Sequence, residues 1–265
     1  MTAAAAALAA ETAAPSVAAQ PLLEIDNVTV DYDGFKALNG LKLTIPAGGL
    51  TVVIGPNGAG KSTMCDAVIG RVRPSEGRVR LRGEDISHMA EHRIVSAGVC
   101  RKFQTPGVLQ SLTVFDNLLI AAAGDRRWFR SFRLKPSEAD MARAEETLAL
   151  VGLEGQREAL AGELSHGEKQ WLEIGMVVAT GCELLLLDEP TAGMGAPESS
   201  RTAEIIRGLV GRHAVLVIDH DIDFVEQLGG HVVVMHQGAV FREGTLAQIR
   251  SDDDVASIYL GRPKA

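Results

Sequence analysis

Eight consecutive residues, Gly55, Pro56, Asn57, Gly58, Ala59, Gly60, Lys61 and Ser62, match the phosphate-binding template G-x-x-x-x-G-K-[ST] at every fixed position. Glycines in such a run let the backbone curl until successive N–H groups point inward at phosphate oxygens. A helix beginning there adds unpaired N–H groups and the positive end of its dipole. In this reading Lys61 reaches the β- and γ-phosphates of a nucleoside triphosphate and the Ser62 hydroxyl ligates Mg²⁺. Thr63, next in the first turn, is placed to add a phosphate contact. Two adjacent carboxylates, Asp188 and Glu189, follow four leucines, and His220 follows another apolar run. Gln104 closes the short run Val99-Cys100-Arg101-Lys102-Phe103, and Ser165 precedes Glu168 by three residues.

These groups need elements to hold them. Leu50-Thr51-Val52-Val53-Ile54 reads as a buried strand and residues 62–68 as the start of a helix, which gives the loop its strand–loop–helix context. Residues 183–187 and 214–218 are apolar without alternation, as expected of strands covered on both faces of a parallel sheet. Asp188-Glu189 and Asp219-His220 then fall at carboxyl ends of strands, where open α/β sheets bind ligands. Before the loop, residues 22–32 and 41–45 alternate apolar and polar side chains and predict half-buried strands. Residues 78–81 predict a short strand and Gly83-Glu84-Asp85 a turn; residues 232–235 and 239–241 predict strands around a Gln237-Gly238 turn. Helices are expected over 112–123 with Thr113 as N-cap, 137–150 with a Ser137/Asp140 cap, 171–179 after a Ser165/Glu168 capping box, 197–210 and 224–228, with short helices near Leu246 and Val255.

Composition narrows the class. With 265 residues and 46% hydrophobic content, one large α/β domain carrying a helical insertion fits. The net charge of −8 disfavours nonspecific nucleic-acid binding. Cys65, Cys100 and Cys182 are far apart, in apolar contexts, and suit a reducing compartment. No apolar run approaches the ~20 residues that span a bilayer. The Ala-rich segment 1–21 has no Lys or Arg, so it does not read as an export signal, and it is expected to be a disordered tail. His88-Met89-Ala90-Glu91-His92 matches a zinc-peptidase pattern, but a third ligand would have to come from elsewhere, and a polar surface helix is the reading adopted. Arg126 to Arg133, within the basic and aromatic stretch 124–136, reads either as a solvated loop or as a contact with a membrane protein or lipid headgroups.

The order of motifs is informative. It runs phosphate loop, glutamine after a strand, Leu164-Ser165-His166-Gly167-Glu168, apolar run then Asp188-Glu189, and a strand leading to His220. This resembles the ATPase subunit of the ATP-binding cassette (ABC) transporters, over residues 22–262. The resemblance implies a P-loop NTPase fold with a mostly parallel-sheet core, an antiparallel β subdomain, and a helical subdomain at about 105–180, within one ATPase domain spanning 22–265. It implies ATP and Mg²⁺ as ligands. Tyr32 is similar to the aromatic that stacks on adenine, and Gln104 to the residue that touches Mg²⁺ and the attacking water and links to the transmembrane partner. Asp188 would hold Mg²⁺ through water, Glu189 would be the general base, and His220 the γ-phosphate contact. Asp219 stands where the family more often has Glu, with little effect expected. Ser165 and Gly167 would contact ATP held by a second ATPase subunit, identical or different, so each site is shared. Permease subunits in the membrane, and through them a substrate-binding protein, complete the expected assembly on the cytoplasmic face of a bacterial inner membrane.

Thr191-Ala192-Gly193-Met194-Gly195 departs from the family's usual Ser-Ala-Leu-Asp segment and resembles the branch importing branched-chain amino acids and urea or short amides. Arg101-Lys102-Phe103-Gln104 and Ile258-Tyr259-Leu260-Gly261 point the same way. The stretch 169–176 looks closest to the urea-importer ATPase; a branched-chain amino-acid importer is the alternative. A soluble ABC ATPase serving an assembly pathway would carry the same motifs and would be told apart by the lack of integral membrane partners.

Overall fold

A computed structural model of the chain describes residues 21–102, 107–123 and 136–259. Gln104, the stretch 124–135, the first twenty residues and Leu260-Gly261 lie outside the described residues.

The alternating N-terminal segments form a hairpin of β1 (Pro21–Tyr32) and β2 (Phe35–Pro46). Its turn, Asp33-Gly34, takes φ of 52° and 95°, the left-handed pair that matches the twist of the flanking strands. Asp31 Oδ1 accepts from the Gly34 N–H at 2.6 Å and steadies it. After β3 (Leu50–Ile54) and α1 (Lys61–Val68), β4 (Glu76–Leu81) and β5 (Glu84–Asp85) complete an antiparallel sheet of order β2-β1-β4-β5. Here the structure differs from the expected Gly83–Asp85 turn. Arg82 and Gly83 hold the left-handed φ values, 50° and 80°, and Glu84 and Asp85 already pair back onto Leu81 and Arg80.

The next helix, α2 (Glu91–Ser96), starts later than the His88–His92 pattern required. His88 lies in the preceding turn, so the two histidines do not share a helical face. Among the described residues, no three His, Cys, Asp or Glu side chains cluster as a metal site.

The second sheet collects β3 with β6 (Val99–Arg101), β7 (Leu184–Asp188), β8 (Ala214–Ile218), β9 (His231–His236) and β10 (Ala239–Gly244), in the order β10-β9-β3-β8-β7-β6. All neighbours are parallel except the β9–β10 hairpin. All five residues of β8 and the four leucines of β7 are buried, as their unbroken apolar runs demand. The period of two sorts them: Leu185, Leu187, Val215 and Val217 enter one apolar cluster, while Leu184, Leu186, Leu216 and Ile218 enter the other with the first sheet and α1.

Three helices, α3 (Val114–Ala122), α4 (Glu138–Val151) and α5 (His166–Ala179), pack on one another in the first cluster. Their starts are chemically specified. Thr113 Oγ1 accepts from the Asp116 N–H, and Ser137/Asp140 and Ser165/Glu168 form reciprocal capping boxes. Because the Ser165 cap acts directly, α5 begins at His166, five residues before the apolar periodicity at Trp171. The chain closes with α6 (Ala196–Leu209), α7 (Ile222–Leu228), α8 (Leu246–Ser251) and α9 (Asp253–Tyr259). No helix of the described residues is long and apolar enough to cross a membrane.

Candidate nucleotide site

The loop Gly55–Gly60 leaves the carboxyl end of β3, with β9 on one side and β8 on the other. Its glycines are fixed by crowding as much as by φ. At Gly55 a Cβ would stand 2.3 Å from the Met235 carbonyl oxygen, and at Gly60 2.5 Å from that of Ala37. The β9–β10 turn also bonds the loop, with the Gly238 N–H donating to Ala59 O at 3.0 Å. Gly58 differs: its Cβ direction is open, so only its φ of 80° calls for glycine.

Helix α1 starts at Gly60 with no side-chain cap and no acidic residue in its first turn. Lys61, Ser62 and Thr63 therefore bring N–H groups, a cation and two hydroxyls to one helix terminus, a donor set that suits a phosphate chain. Lys61 Nζ donates to the carbonyls of Gly55 (2.6 Å) and Pro56 (3.0 Å), which places the ammonium across its own loop. Burial lowers its pKa from the ordinary lysine value, while the carboxylates of Glu189 and Asp188 pull it back up.

Those carboxylates arrive from β7. Asp188 closes the strand and its Oδ2 accepts from Arg101 Nη2 at 2.7 Å; Arg101 Nη1 donates to Asp66 Oδ1 on α1 at 2.6 Å. Glu189 takes φ of 47°, a left-handed conformation that costs a non-glycine residue about 1–2 kcal/mol. Its N–H donates to Ile218 O at 2.9 Å, which ties it to the end of β8. Two residues further along β8's exit, His220 Nδ1 lies 3.4 Å from Glu189 Oε1. Hard oxygen donors on Ser62 and Asp188 suit a small divalent cation such as Mg²⁺.

The structure thus brings Lys61, Asp188, Glu189 and His220 together at the carboxyl ends of β3, β7 and β8. Tyr32 sits at the exposed β1–β2 turn, on the hairpin whose Ala37 carbonyl faces Gly60. Ser165 and Gly167 are not brought to this cluster: Ser165 bonds Glu168 within its own helix cap, and Gly167 faces α6. A Cβ at Gly167 would meet Glu198 Oε1 at 2.7 Å, and His166 Nε2 lies 3.2 Å from Ala192 O. Sequence reasoning assigned no role to Arg101, Lys102, Asp66 or Glu173. The available signal was two adjacent cations ending a buried strand, which must find partners. Lys102 finds Glu173 Oε2 on α5 at 3.6 Å, with both side chains 7% exposed, and Gln170 Oε1 as a closer acceptor.

The fold and the site together define an ATP-binding cassette. Residues 38–192 match the family model described as ABC transporter, and the chain belongs to that family, as an ABC ATPase. Among curated proteins it is 35% identical over 251 residues to the high-affinity branched-chain amino acid transport ATP-binding protein BraF of Pseudomonas aeruginosa, covering 91% of this chain and 98% of that one. It is 33% identical over 252 residues to the corresponding LivG protein of Escherichia coli K12, with the same coverage. Among solved structures, a nucleotide-free ATP-binding cassette from an ABC transporter superposes with a TM-score of 0.77 at 30% identity, over 91% of this chain and 100% of that one. A cassette in its ADP conformation gives 0.78 at 30% identity, over 91% and 99%.

Proposed function

We propose that this chain hydrolyses ATP to power a bacterial importer of branched-chain amino acids, working as one of two ATPase subunits on the cytoplasmic side of permease subunits. The observation that carries the catalytic reading is the meeting of Glu189 and His220, 3.4 Å apart, beside a lysine-bearing phosphate loop. ATP lies with its phosphates on residues 55–63 and its adenine against Tyr32. Mg²⁺ would be held by Ser62, Gln104 and Asp188 and would neutralise phosphate charge. Glu189 takes a proton from water as the water oxygen bonds to the γ-phosphorus. The bond from that phosphorus to the bridging oxygen breaks, leaving ADP and phosphate. Lys61 and His220 hold the γ-phosphate oxygens meanwhile. Ser165 and Gly167 complete the site of the second subunit, so ATP binding closes the pair and hydrolysis opens it.

The names of the relatives support branched-chain amino acids as cargo rather than urea. Urea rests only on the likeness of residues 169–176 to urea-importer ATPases. Replacing Glu189→Gln tests the chemistry: ATP affinity should persist while turnover falls at least ~100-fold. Turnover at the normal rate would remove Glu189 from the role of base. Uptake of labelled leucine and labelled urea by cells with and without the gene tests the cargo, and loss of urea uptake alone would reverse the assignment.

A further inference from the structure

Asp219 is 2% exposed, yet its carboxyl group lies between the loops that carry Glu189 and His220. Its Oδ1 accepts from the backbone N–H groups of His220 (2.7 Å) and Asp221 (3.0 Å), and its Oδ2 accepts from the Thr191 hydroxyl at 3.0 Å. Thr191 lies two residues beyond Glu189. The loop after β7 and the loop after β8 are therefore joined twice, by the Glu189 N–H to Ile218 O at 2.9 Å and by the Thr191 side chain to Asp219. Glu189 lies on one loop and His220 on the other, at these junctions. Neither is held by packing, since their side chains are 46% and 69% exposed. Glu189 must also be kept in a left-handed conformation that an unrestrained glutamate leaves.

We propose that Thr191 and Asp219 are positioning residues, a latch that sets the Glu189 carboxylate and the His220 imidazole in register for water attack. The hydroxyl fixes the distance between the two loops, and the carboxylate fixes the backbone that carries the histidine. A buried carboxylate with three donors has few other arrangements open to it, so the latch has one setting. The inference rests on Glu189 and His220 acting on water and on the γ-phosphate.

The test uses the purified full chain and measures kcat, KM for ATP and thermal unfolding for Thr191→Val, Thr191→Ser and Glu189→Gln. Thr191→Val should lower kcat by roughly 10- to 100-fold, the range that a displacement near 1 Å produces, with KM within about twofold. Thr191→Ser restores the hydroxyl and should return kcat to within about threefold of the parent. A purely structural threonine would move the unfolding temperature and leave kcat per folded molecule intact; that result, or a serine variant as slow as the valine one, overturns the latch. Should Thr191→Val not fold, Thr191→Ala removes the same hydroxyl without adding a methyl and is read by the same criteria. A Glu189→Gln protein with normal turnover would sink the underlying reading of the base, whatever the threonine variants do. A slow Glu189→Gln beside a normal Thr191→Val would sink the latch alone.

Discussion

Arg101 and Asp188 form an ion pair at 2.7 Å in which the arginine is 10% exposed and the aspartate 5%. The other arm of the same guanidinium reaches Asp66 at 2.6 Å, so one side chain joins β6, β7 and α1. Arg101→Ala would leave two carboxylates without their shared cation, one of them buried. Removal of one partner from a buried pair costs about 3 kcal/mol, and urea unfolding should show a loss of that size. Arg101→Lys should recover only part of it, because an ammonium lacks the fork that spans two carboxylates. An unchanged unfolding midpoint for Arg101→Ala would show that the pair contributes nothing.

Lys102, the next residue, points to the other side and pairs with Glu173 on the helix that Ser165 caps. Burial lowers the Lys102 pKa and raises that of Glu173, against their mutual attraction. Each single replacement, Lys102→Met or Glu173→Met, should therefore cost about 3 kcal/mol by stranding a charge, whereas the double replacement should cost less than their sum. A double-mutant cycle with free energies additive to within about 0.5 kcal/mol would refute the coupling.

Burial raises the Asp219 pKa above the usual carboxylate range, and its three hydrogen bonds only partly offset this. The folded chain then holds the proton more tightly than the unfolded chain, whose aspartate titrates near ~3.9. Its contribution to stability is full below that value and is lost as pH rises through the raised folded value. An Asp219→Asn protein lacks this slope. The stability of the parent relative to Asp219→Asn should fall as pH is raised above about 4, read from urea unfolding at each pH. A constant difference across that range would contradict the raised pKa.

The two kinds of glycine in the phosphate loop should separate cleanly. Gly58→Ala meets no neighbour and carries only the left-handed penalty of about 1–2 kcal/mol. Gly60→Ala adds a carbon 2.5 Å from the Ala37 carbonyl oxygen and must shift β2 or the loop. Nucleotide titration and thermal unfolding should find Gly60→Ala the more damaged on both counts. Equal damage would mean that the open side of Gly58 is not open in solution.

Much of this site is legible in the sequence because its parts are local. The phosphate loop is a contiguous string after an apolar strand, and Asp188 and Glu189 end a run of four leucines. Ser165 and Glu168 announce a helix start by their spacing alone, and β8 is recovered to the residue. What the sequence hides is pairing across distance. Nothing local links Arg101 to Asp66 and Asp188, or Lys102 to Glu173, because those partners meet only when β6 docks beside β7 and α5. Asp219 shows the same limit. In the string it is a shortened glutamate of little consequence, and in space it is the buried acceptor between two loops. The proposed cargo is least legible, because the site residues named in the sequence are those of ATP chemistry.

The walls of the phosphate loop come from the far end of the chain. Gly55 abuts Met235, Ala59 receives the Gly238 N–H, and β3 pairs with both β8 and β9. A ribosome making this protein releases the complete motif early, yet the cradle has no sides until residues 235–238 have emerged and folded back. A nascent or prematurely ended chain thus carries the string without the pocket.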